Sequence, residues 1–180
     1  MKNLILVVSF VILFGLAFGC KDKAAMAELK QLKTAAAQQE QNKALLRRYF
    51  EETDKGNYAA WSEIFSTDYQ FHYPSSAKPI TLEERMQISK SLHAAFPDFK
   101  HTIEDIFAMG DKAVVRATLT GTHTGDFMGI PATGKSVKSS AIVMARFSEG
   151  KIVEMWLEAD FMGLFQQLGM ELKPKEAEKK

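Results

Sequence analysis

Three carboxylates near the end of the chain, Glu154, Glu158 and Asp160, are separated by even numbers of residues, with Trp156 among them. In an extended strand, residues two apart share a face. Ile152, Glu154, Trp156, Glu158 and Asp160 then form one side, and Val153, Met155, Leu157 and Ala159 form the other. On a solvated face these carboxylates are ordinary outward polar residues. On a cavity wall Asp160 and Glu158 become candidate general acids or bases, because desolvation and neighbouring like charge both disfavour ionisation.

The chain has four histidines, His72, His93, His101 and His123, and one cysteine, Cys20. No pair of them has the spacing of metal ligands, so no metal site is expected. His93 reads as a helix-surface residue and His101 as a polar residue at a strand start. His72 and His123 fall near strand ends, where a pocket mouth can open, and are open to a structural or a functional role. No G-x-S-x-G nucleophile motif occurs. Gly129-Ile130-Pro131-Ala132-Thr133-Gly134-Lys135-Ser136 matches the phosphate-loop pattern literally. It joins two expected antiparallel strands instead of leading from a buried strand into a helix, so a phosphate cradle is not expected.

The elements that would carry these residues can be read from periodicity. Residues 21–41 are rich in Ala, Lys, Gln and Glu and contain no Pro or Gly, which predicts a helical spacer. Only Met26, Leu29 and Leu32 interrupt its polarity, so it buries little. Leu45, Leu46, Tyr49 and Phe50 predict a second helical stretch ending at Asp54-Lys55-Gly56-Asn57. Tyr58, Trp61, Ile64 and Phe65 predict a short amphipathic helix, and Tyr69 to Tyr73 a short strand stopped by Pro74. Thr81 with Glu84 three residues later is a capping-box pattern opening a helix that Pro97 ends. Four strands follow, Phe99–Met109, Ala113–Thr124, Val137–Phe147 and Lys151–Asp160, then a closing helix Phe161–Leu168. Helices followed by an antiparallel meander make an α+β pattern.

Composition sets the frame. Of 180 residues, 46% are hydrophobic and 25% charged, enough for one packed domain. The 23 basic and 22 acidic side chains nearly cancel, and a neutral domain has no broad electrostatic footprint for nucleic acid. At the N-terminus, Lys2 precedes an almost unbroken apolar run from Leu4 to Phe18, the length of a signal-peptide core and short for a membrane span. Ala17-Phe18-Gly19-Cys20 follows and looks like a lipobox, with Phe18 bulky for its place. The expectation is a signal peptide over 1–19, a lipid on Cys20, and export to the periplasmic or outer-membrane face of a bacterial membrane. The spacer would then cover 20–41, the domain 42–170, and a charged tail 171–180.

Several short stretches together resemble the SnoaL-like polyketide cyclase, or ester cyclase, family. They are Ala95-Phe96-Pro97-Asp98, Met109-Gly110-Asp111, the run from Gly121 to Lys135, Glu149-Gly150-Lys151-Ile152-Val153-Glu154, Trp156, Asp160 and Gln166-Gln167-Leu168-Gly169. Ala132 departs from the family, which usually has a second proline there. The resemblance implies a cone-shaped barrel of the nuclear-transport-factor-two-like superfamily: a curved antiparallel sheet wrapped around N-terminal helices and enclosing a pocket. It implies that the acidic face of the last strand looks into that pocket. Asp160 would be the acid–base catalyst of an intramolecular aldol closure, without metal or cofactor. His123 and His72 would hold a carbonyl, and Glu158, Trp156, Tyr49, Phe50, Trp61, Phe65 and Phe127 would line the pocket around a small apolar molecule.

The fold hosts enzymes and binding modules alike. A cofactor-independent cyclase or isomerase and a non-catalytic small-molecule-binding lipoprotein therefore stand as the two readings. A homodimer is expected through Val153, Met155, Leu157 and Ala159, which would lie outside if the carboxylates lie inside.

Overall fold

The end of helix α1 (Lys2–Asp54) is dictated locally. Gly56 adopts φ +67°, a left-handed conformation that glycine tolerates without a Cβ clash. The amide of Asn57 donates to Glu52 O (2.8 Å) and that of Gly56 to Thr53 O (2.9 Å), the paired bonds of a Schellman stop. Asp54 is thereby left as the last helical residue. A computed structural model describes the backbone of residues 2–74, 76–171 and 173, with side chains from Asp22 onward. The expected signal segment, Cys20 and most of the charged tail fall outside the described side chains.

Two compact units divide at Gln38/Gln39. The first contains helix alone, with Met26, Leu29 and Leu32 exposed as the thin stripe predicts. The second holds the rest. Within it Leu46, Tyr49, Phe50 and Thr53 of α1 are buried along one face at helical spacing. A 3-10 turn (Tyr58–Ala60) and α2 (Trp61–Ile64) follow, and β1 spans Phe65–His72. Phe65 thus opens the strand; it does not close the helix, and the strand is longer than the aromatic run from Tyr69 suggests. Helix α3 (Leu82–Ala95) has the expected capping box: Thr81 Oγ1 accepts from Glu84 N (3.3 Å), and Glu84 Oε2 accepts from Thr81 N (2.7 Å).

Strands β2 (Lys100–Met109), β3 (Lys112–Thr122), β4 (Ser136–Ser148) and β5 (Lys151–Ala159) form the expected antiparallel meander, and α4 (Phe161–Leu168) closes the chain. The sheet order is β1-β5-β4-β3-β2, with β1 parallel to β5. The expected barrel is corrected here. Edge strands β1 and β2 do not pair with each other, so the fold is a mixed α+β arrangement with an open, curved sheet and N-terminal helices. Helices α2 and α3 pack against β1, and α4 against β4.

Register decides which side chains face the helices. β4 pairs Ala141, Val143, Ala145 and Phe147 with Ala159, Leu157, Met155 and Ile152 of β5. Val153 is the extra residue of a bulge between Arg146 and Phe147. The bulge brings Ile152 onto the same buried side as Met155, across the alternation that the sequence predicts. A second bulge at Glu104 keeps His101, Ile103 and Ile106 opposite Leu119, Ala117 and Val115.

Candidate functional site

A cavity of about 780 Å³ lies between the helices and the inner face of the sheet. Its wall is largely apolar, with Phe50, Phe71, Leu119, Val143, Met155 and Phe127 among its residues. Among the described residues, three ionisable side chains other than tyrosine line it: Arg85, His101 and Asp126. Such a space suits a drug-sized apolar molecule met by a few polar groups.

His101 enters the cavity from β2 because it pairs with Leu119, on the same inward side as Ile103. Its ring lies between Phe50 and Phe99, each at a centroid distance of 4.9 Å. Asp54 holds it twice. The carboxylate accepts from the His101 backbone amide (3.1 Å to Oδ2) and contacts ring Nδ1 at 2.5 Å. An ionised carboxylate can only accept, so Nδ1 carries a hydrogen and Nε2 of the neutral ring keeps a lone pair. Among the described residues Nε2 has no hydrogen-bond partner, on a residue that lines the cavity. This is the arrangement of a general base oriented by an acid.

Arg85 enters from α3, one turn after the cap. It shares a helix face with Ser89, Leu92 and Phe96 (spacings of 4, 7 and 11 residues). Its Nη2 donates to Tyr49 Oη (2.7 Å), its Nη1 donates to Ser89 Oγ, and its Nε is enclosed without an acceptor. The guanidinium carbon lies 4.8 Å from the Phe71 ring centroid and 5.7 Å from that of Trp61. Burial pushes the nearby Tyr69 phenol well above its ordinary range, so it stays neutral, and its hydroxyl also lacks a partner.

The structure separates the residues singled out from the sequence. Tyr49, Phe50 and Phe127 line the cavity. Trp61 and Phe65 are buried behind that wall, against the Tyr49 ring at 5.5 and 5.3 Å. The acidic side of β5 turns away from the cavity, and Met155, Leu157 and Ala159 line it instead. The argument for a homodimer through an outward apolar face loses its premise with them. Glu154 instead accepts from Arg146 (2.8 and 2.9 Å) and bonds His72 Nε2 (2.8 Å), and His72 stacks on Trp156 at 4.9 Å. Glu158 is exposed.

Asp160 is exposed at the start of α4, between the cavity residues Ala159 and Phe161. Its Oδ1 accepts from Gly163 N (2.7 Å) as the helix cap. Gly163 permits this approach, since a Cβ there would stand 2.2 Å from the carboxylate. His123 is fully buried, stacked on Phe96 at 5.0 Å, and is not a lining residue. Its Nδ1 accepts from Thr133 N (3.3 Å), which ties down the base of the loop carrying Asp126 and Phe127. His93 is half-buried and bonds Tyr58 (2.8 Å), not a free surface residue.

Sequence reasoning missed His101, Asp54 and Arg85. A signal for the first existed: Phe99-x-His101-x-Ile103 alternates, which puts the histidine on the apolar side. Among the described residues no cluster of three or more His, Cys, Asp or Glu could hold a metal ion.

Residues 43–168 match the SnoaL-like polyketide cyclases. The chain belongs to this family. Aklanonic acid methyl ester cyclase DnrD of Streptomyces peucetius is 35% identical over 80 residues, 43% of this chain and 54% of that protein. The chain thus spans about half the length of the curated relatives it matches. Among solved structures, IdmH of Streptomyces antibioticus, a candidate polyketide cyclase, superposes with a TM-score of 0.66 at 28% identity. The match covers 72% of this chain and 99% of that one. AclR of Streptomyces galilaeus, a candidate hydroxylase, gives 0.66 at 26% identity, covering 71% and 95%.

Proposed function

We propose that the domain is a cofactor-independent acid–base catalyst of the cyclase or isomerase type, acting on a polyketide-like carbonyl compound. The observation that carries this reading is His101 on the wall of an apolar cavity with the Asp54 carboxylate on its ring Nδ1. In an aldol closure, His101 Nε2 takes a proton from the carbon next to a carbonyl. Asp54 stabilises the imidazolium that forms, as the acid of a catalytic triad does. The resulting enolate carbon attacks a second carbonyl of the same molecule, one C–C bond forms, and the imidazolium returns its proton to the new alkoxide. Atoms balance without oxidant or cofactor. The apolar wall folds the substrate and keeps water from the enolate.

Asp160 is the competing proton carrier, nominated by its place in the family pattern. Deuterium exchange at the α-carbon of 1-tetralone, followed by NMR, separates the two. Loss of exchange in His101→Gln but not in Asp160→Asn supports the dyad, and the reverse assigns the step to Asp160. Closure of aklanonic acid methyl ester, the compound in the relative's name, is the corresponding assay of turnover. The second reading is a non-catalytic binding lipoprotein, favoured by the signal-like segment ending at Cys20. Absence of exchange in the parent protein, with retained ligand binding, would select it.

A further inference from the structure

We propose that Arg85 and Tyr49 form a receptor for one carboxylate on a ligand with an apolar body. Arg85 makes no ion pair with any described carboxylate, although it borders a cavity whose wall is largely apolar. A guanidinium has five N–H donors. One meets Tyr49, one meets Ser89, and the Nε–H is enclosed without an acceptor. The remaining two, one on each Nη, have no acceptor among the described residues. Tyr49 adds another. Its oxygen accepts from Arg85, its own hydrogen finds no acceptor among the described residues, and the adjacent cation makes that hydrogen a stronger donor.

Among the described residues that line the cavity, the surroundings supply no anion paired with Arg85. Tyr69 Oη and Trp61 Nε1 are buried without partners, and the Trp61 ring lies beside the guanidinium. Asp126, the one carboxylate among the described residues that line the cavity, is exposed and accepts from Gly129 N (3.2 Å). A charge in an apolar environment is costly unless paired. A carboxylate is the ligand group that accepts several N–H and O–H bonds at once and neutralises an arginine. The apolar wall fixes the rest of the ligand: a saturated or aromatic body without a second charge.

This site is chemically separate from the Asp54–His101 pair. Tyr49 and His101 flank Phe50 at ring distances of 5.0 and 4.9 Å, so a single ligand can meet both. The proposal concerns binding and does not depend on catalysis. The test is calorimetric titration of the full chain with octanoate and with octanamide, which share a body and differ in charge. Octanoate is expected to bind at least about tenfold tighter, the worth of hydrogen bonds to a charged group. Arg85→Met should remove that preference while leaving the circular dichroism unchanged. Should that variant fail to fold, Tyr49→Phe deletes one donor only and should weaken octanoate but not octanamide. Equal affinity for the two ligands, or a preference that survives Arg85→Met, would overturn the proposal.

Discussion

His101 differs from the other three histidines in what its two ring nitrogens meet. His72 bonds Glu154 on the side of the sheet away from the cavity, His93 bonds Tyr58, and the His123 ring is closed between Phe96 and the Thr133 backbone. His101 alone has a carboxylate on one nitrogen and a cavity wall position. His101→Gln is expected to lower α-proton exchange by about 10²–10⁴-fold, the usual worth of a positioned base. Asp54→Asn should also lower it while the protein stays folded, because an amide can present its N–H to the ring and favour the wrong tautomer. Glu154 makes a different prediction. Burial alone would raise its carboxyl, but the hydrogen bonds from His72 and Arg146 outweigh burial and hold it below its ordinary 4.5. A folded value below the unfolded one means that the ionised group stabilises at neutral pH and that this contribution is lost as pH falls through the folded value. Glu154→Gln should therefore lower the melting temperature near pH 7, with the difference shrinking as the pH falls below the ordinary carboxylate range.

Helices α3 and α4 each depend on a single side-chain cap. Thr81 starts α3 at Leu82, which sets the phase that brings Arg85 and Ser89 to the interior. Thr81→Ala should cost about 1 kcal/mol in chemical denaturation, the usual loss for such a cap. At α4, Gly163→Ala would push a methyl group to 2.2 Å from the Asp160 carboxylate. It should release that cap and destabilise by about 1 kcal/mol or more, as urea titration would show. The same variant tests Asp160 as proton carrier: a change in α-proton exchange beyond the stability loss would point to the freed carboxylate.

The cavity is a property of the whole second unit, since α1, α3, α4 and strands β1 to β5 all contribute to its wall. Filling it should remove binding without removing the fold. Leu157→Trp is expected to weaken octanoate at least tenfold while overpacking costs about 1–3 kcal/mol, read by calorimetry and thermal melting. Export and lipidation form a separate proposal resting on the N-terminal pattern alone. In a bacterial host, labelled palmitate should appear on the chain and vanish in Cys20→Ala.

Local rules in the sequence determined much of the architecture. The Gly56 stop, the Thr81 capping box, the four-strand meander and α4 follow from short-range patterns, because turns, caps and alternation are decided by neighbouring residues. The family pattern, too, was legible along the chain, since it consists of short ordered stretches. Strand pairing was not. Whether β1 adds in parallel to β5, and whether the sheet closes, depends on partners far apart in sequence. The bulges at Glu104 and Val153 shift the alternation by one residue and so decide which side chains reach the helices. That shift leaves Glu154 and Trp156 on the far side of the sheet, and long-range packing brings together Asp54 with His101 and Tyr49 with Arg85. These pairs are 47 and 36 residues apart. Residue types at such separation carry no local signature, so only the tertiary structure could assemble the site.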